Sequence, residues 1–101
     1  LRGGVLFADA QYDDLFTQVA HEGEWRHTAL VDPAGRRLRI SFDKRFPHCV
    51  VFNPPHRQAI CIEPYTCVPD AFTLTSRGID AGLQVLSPGD AFHARWEIGV
   101  E

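Results

Sequence analysis

From Trp25 to Phe42 the chain alternates in two runs around a single turn, and this stretch constrains the fold most. Leu38, Ile40 and Phe42 fall on one side of the second run, and Arg37, Arg39 and Ser41 on the other. That period of two is the mark of a half-buried strand. The preceding run, WRHTALV from Trp25 to Val31, is rich in residues that favour strands. Between them stands Asp32-Pro33-Ala34-Gly35, with Pro after the first position and Gly at the close, the signature of a type I turn. A β-hairpin over Trp25 to Phe42 follows.

The rest of the chain repeats this grammar. Cys49 to Phe52 reads as a short buried strand, stopped by Pro54-Pro55, which cannot donate to a ladder. Ala59 to Glu63 reads as another, and so does Leu83 to Leu86 before the Pro88-Gly89 turn. The final run places Phe92, Ala94, Trp96 and Ile98 on one face and His93, Arg95 and Glu97 on the other. Trp96 and Phe92 are expected in the core, and Trp25 in hairpin packing. Phe72 to Gly82 reads as a loop, preceded by Asp70, which is expected to satisfy backbone amides in a turn. Tyr12 to His21 reads either as a helical turn capped by Asp13 or as a loop carrying two acids. The class is therefore all-β, with five or six strands, forming a sandwich or part of one.

Composition narrows the function classes. With 45% hydrophobic and 23% charged residues over 101 positions, the chain suits one globular domain. Its formal charge of −3, with ten Lys and Arg spread along it, leaves no nucleic-acid footprint. No apolar stretch is long enough to span a membrane as a helix, and no secretory leader is expected in LRGGVLFADA. Leu1 opens a chain without Met, so a fragment, a processed chain and a segment of a longer protein are all open. Cys49, Cys61 and Cys67 are odd in number and lack metal-ligand spacing. Free thiols in a reducing, cytoplasmic setting are expected, and no metal site.

Glu63 is the conspicuous acid. It ends an apolar run and precedes Pro64, which biases it toward extended geometry. Alternation puts Ile60 and Ile62 on a core face and Ala59, Cys61 and Glu63 on the other. Small side chains leave volume above the sheet, which suits a cleft with a carboxylate at its rim, and equally a surface with one exposed acid.

FNPPHRQAICIEPYTCVPDAF, followed by GLQVLSPGDAFHARWEI, resembles the C-terminal third of the aldose 1-epimerase (galactose mutarotase) family, and the upstream YDDLF resembles that family's Asp-x-x-Phe segment. The pieces fall in the family's order across most of Tyr12 to Ile98. The resemblance implies a large antiparallel β-sandwich, galactose mutarotase-like, of which residues 1–101 form the C-terminal portion. It implies interconversion of the α and β anomers of a free hexose, without cofactor. By the same resemblance Glu63 is the general base, and Asp13 binds sugar hydroxyls, with Asp14 the fallback. The family's acid histidine lies upstream of the matched part, so a missing N-terminal part is the expected partner. His21, His27, His48, His56 and His93 occupy none of the family's positions. A non-catalytic carbohydrate-binding or interaction domain is the alternative.

Overall fold

The computed structural model describes residues 4–19 and 21–101. It is nearly all-β, with two antiparallel sheets and one short helix. The first sheet has the order β1-β5-β6, from Asp13–Phe16, His48–Phe52 and Cys61–Tyr65. The second has the order β2-β3-β4-β7, from His21–Glu22, Trp25–Val31, Arg37–Asp43 and Trp96–Val100. No described helix is long and apolar enough to cross a membrane.

The β3–β4 hairpin forms as its turn residues dictate. The Gly35 amide donates to the Asp32 carbonyl (2.9 Å), and the Asp32 amide donates to the Arg36 carbonyl (3.0 Å). Gly35 sits at φ +85°, the left-handed position that closes a type I turn with a bulge. The Asp32 carboxylate accepts from the Arg36 backbone (2.9 Å) and Nε (2.6 Å). Those bonds hold its carboxyl below the usual range.

The sheets share one core. Ile40 and Phe42 from β4 meet Cys49 and Val51 from β5, with Tyr12, Phe16, Phe46, Ile60 and Ile62 packed around them. The expected core face of the Glu63 strand, Ile60 and Ile62, is thus inward. The strand itself runs later than expected, from Cys61 through Pro64 to Tyr65. Pro64 is tolerated because β6 is an edge, where a missing N–H can face away from the ladder.

Several expectations are corrected. Tyr12 to His21 is neither a helical turn nor a loop throughout: Asp13–Phe16 is strand β1. Tertiary contacts override its two acids. Tyr12 and Phe16 pack edge to face (5.8 Å between centroids), and Asn53, wholly buried, clasps the entry to the strand. Asn53 Oδ1 accepts from the Tyr12 amide (2.5 Å), and its Nδ2 donates to the Ala10 carbonyl (2.9 Å). The expected 72–82 loop contains helix α1, Ala71–Ser76. Asp70 starts that helix at φ +61°, and its side chain makes no cap hydrogen bond, so it does not satisfy turn amides.

Leu83 to Leu86 forms no strand, because no sheet edge lies alongside to complete its backbone bonds; Val85 and Leu86 are exposed. The last strand begins only at Trp96, and its apolar face is not buried. Trp96 is 59% exposed and Phe92 39%, against the expectation that both are core. The radius of gyration, 15.5 Å, exceeds the ~13 Å of a compact domain of this length, consistent with a sheet face left partly uncovered.

Candidate functional site

The register of the first sheet decides which side chains can act together. Asp13 stands opposite Phe52, which stands opposite Cys61; one step along, Leu15, Val50 and Glu63 form a row; His48 pairs with Tyr65. Alternation therefore collects Asp13, Val50, Phe52, Glu63, His48 and Tyr65 on one face, the side away from the core. Asp14 aligns with Val51 and Ile62, on the opposite face, which removes it as the fallback acid.

Glu63 is half-buried, and no cation pairs with it among the described residues. The Tyr65 hydroxyl donates to Glu63 Oε2 (3.2 Å). That bond, with the carboxylate's charge, pushes the Tyr65 phenol up, so Tyr65 remains a donor. Beneath, on the core side, Cys49 is 3% exposed. Burial pushes its thiol up to about 11; the Glu63 amide works against burial and the Glu63 carboxylate reinforces it. A carboxylate with one oxygen engaged by a phenol retains acceptor capacity for a polyhydroxylated ligand.

Asp13 is exposed, and its amide donates to Asp14 Oδ2 (3.2 Å). Two strand spacings and one two-residue step separate it from Glu63, ~12 Å between Cα atoms. Val50 and Phe52 make a half-buried apolar floor between the two acids.

His48 and Tyr65 were not singled out by the sequence reading. Counting back by two from Val50 places His48 on the Glu63 face, and counting on by two through Pro64 places Tyr65 there. Cross-strand diagonal neighbours stand ~7–8 Å apart, so His48 is within a side chain's reach of Glu63. Its Nδ1 is buried with no hydrogen-bond partner among the described residues, and its Nε2 faces Gly82. Gly82 sits at φ +78°, where an added Cβ would come 2.9 Å from the Thr66 carbonyl oxygen and 3.6 Å from His48 Nε2. The 66–82 segment is thus drawn tightly over one end of the face, held by the Val68 amide donating to Ala81 (2.9 Å).

The other histidines lie elsewhere. His93 and His56 are exposed, and His56 Nδ1 accepts the Gln58 amide (3.0 Å). The His21 side chain lies outside what is described. His27 Nδ1 pairs with Ser41 Oγ (2.8 Å), and its Nε2 lies 3.7 Å from the Glu22 carboxylate. This serine–histidine–acid line is no nucleophile site: Ser41 is a mid-strand residue between two paired neighbours, which leaves no free amides to stabilise an oxyanion.

Three further features fall outside the face. Asp43, 4% exposed, is held low: burial pushes its carboxyl up, but the Arg95 and Arg45 amides and the Arg45 guanidinium outweigh that. It anchors the approach to β7 by accepting from the Arg95 amide (2.8 Å). Arg26 Nε and Nη1 are buried without partners among the described residues, in the row that contains Phe42 and Trp96. A shallow, open hollow of about 320 Å³ lies at the hairpin tip, lined by Leu30, Arg36, Arg37 and Val100 among others, remote in sequence and sheet from Glu63. The three cysteines are free, and no group of metal-ligating side chains occurs among the described residues.

No protein-family model and no solved structure matches the chain.

Proposed function

We propose that this chain carries the base side of an aldose 1-epimerase-type site, galactose mutarotase-like, acting on a free hexose in the cytoplasm. The supporting observation is the shared outward face of Asp13 and Glu63, with an apolar floor between them and, among the described residues, no ion pair blocking either acid. Hydrogen bonds from a sugar's hydroxyls at both ends, plus one ring, bridge such a span. The sequence resemblance assigns the same two residues.

In this reading Glu63 takes the proton from the anomeric hydroxyl. The C1–ring oxygen bond breaks as an acid protonates the ring oxygen, giving the open-chain aldehyde. Rotation about C1–C2 and reclosure, with both protons returned, yields the other anomer. Positioned acid and base groups each contribute roughly 10²–10⁴-fold. Tyr65 holds one Glu63 oxygen and so orients the other. The acid histidine is assigned to the missing N-terminal part, as the resemblance implies. Neither metal nor organic cofactor is needed for these steps.

Polarimetry of freshly dissolved α-galactose tests this. The complete protein, with its N-terminal part, should speed the approach to anomeric equilibrium, and Glu63→Gln should cut that rate at least 10²-fold. Equal rates for the two would remove Glu63 from the chemistry. One alternative is a non-catalytic carbohydrate-binding domain, favoured by the burial of Nδ1 of His48, the described histidine on the Glu63 face. Saturable hexose binding without any rate enhancement would select it.

A further inference from the structure

The exposed edge of the second sheet has a self-complementary pattern. β7 pairs with β4 on one side and has no described strand on the other. The Arg37 and Glu101 backbones exchange both hydrogen bonds (3.0 and 2.8 Å). In an antiparallel ladder such pairs alternate with pairs whose bonding groups point away. Residues 99 and 97 therefore also bond inward to β4, and Trp96, Ile98 and Val100 turn their N–H and C=O groups to the open edge.

We propose that β7 is a self-association strand, pairing antiparallel with β7 of a second copy about a two-fold axis through Ile98. In that register Ile98 faces its own copy, and Trp96 faces the other copy's Val100 in both directions. All six outward backbone groups on each strand are then used, giving six N–H···O bonds across the axis. A slip by two residues leaves some of them unpaired. The register also sets side chains against compatible partners. Trp96, Ile98 and Val100, which are 59%, 58% and 81% exposed, form one continuous apolar strip across the junction.

On the opposite face Arg95 stands across from the other copy's Glu101, twice, in positions where side chains approach closely. Both charges are already held on that face, Arg95 over the Trp25 ring (5.3 Å) and Glu101 by Arg39 (3.2 Å). The edge carries none of the usual guards against such pairing: Trp96–Val100 contains no Pro and no Lys, and its one charge, Glu97, meets Gly99 of the partner strand. The inference does not depend on the sugar chemistry.

Sedimentation equilibrium of the protein over 1–500 µM tests it. A dimer should form with a dissociation constant on the order of tens of micromolar, because the junction is smaller than a standard interface of ~1,600 Å². Ile98→Lys, which opposes two like charges on the axis, should raise that constant at least tenfold while leaving the circular dichroism spectrum and melting temperature at 1 µM unchanged. Arg95→Glu should weaken the dimer, and Arg95→Glu with Glu101→Arg should restore it. A wild-type monomer at 500 µM overturns the proposal and leaves the edge to a strand from another chain. A dimer unaffected by Ile98→Lys overturns it as well.

Discussion

Phe42 and Trp96 stand directly opposite one another on β4 and β7, on the same side of the same sheet. Phe42 is fully buried and Trp96 is 59% exposed. Their chemistry and their pairing are alike; what differs is what lies above them. Phe46 packs edge-on against Phe42 (6.2 Å) and the first sheet covers it, whereas the covering layer ends before it reaches β7. Strand alternation settles which side a residue faces. Burial depends on whether another layer extends over it.

The contrast predicts unequal costs of truncation. Phe42→Ala should destabilise by about 3–5 kcal/mol in urea unfolding, from lost transfer energy and the cavity left behind. Trp96→Ala should cost no more than about 1 kcal/mol at low micromolar concentration. Equal losses at the two positions would mean that β7 is covered after all.

Between those extremes stand two positions that border the first sheet. Asn53→Ala leaves the Tyr12 amide and the Ala10 carbonyl without partners and should cost about 2–3 kcal/mol. Gly82→Ala forces a side chain into the left-handed region against the Thr66 carbonyl and should cost about 1–3 kcal/mol, read as a lowered melting temperature.

A further expected effect is a dependence on pH. Cys49 ionises near 9.0 when unfolded and only at about 11 when folded. Between those values the native state binds more protons, so its contribution is complete below pH 9 and is lost as pH rises toward 11. The fall in stability over that window should be shallower in Cys49→Ala than in the wild type. At pH 8, iodoacetamide should modify Cys61 and Cys67 before Cys49, the one buried thiol.

Much of the architecture was legible because the turns carry their own chemistry. Asp32-Pro33-Ala34-Gly35 specifies its hairpin locally, and Pro54-Pro55 ends β5 without reference to anything distant. β1 was not legible, since its two acids disfavour a strand and the decisive partners, Asn53 and the β5 ladder, lie some 40 residues away. Leu83 to Leu86 failed for the converse reason: a local pattern suited to a strand met no edge. At the candidate site the alternation placed Glu63 outward, but ending the strand at Pro64 hid Tyr65. Reading His48 as lying before a strand hid its place beside them.

The Asn53 clasp also bears on the order of folding. Its bonds to Ala10 and Tyr12 join residues 43 and 41 positions apart, whereas the β3–β4 hairpin closes across a single short turn. A hairpin of that kind assembles in ~1–10 µs, while a long loop must surrender more chain entropy before any bond rewards it. β1 therefore docks after the hairpin and detaches before it, and the Tyr12 amide should exchange with heavy water sooner than the amides of the β3–β4 ladder.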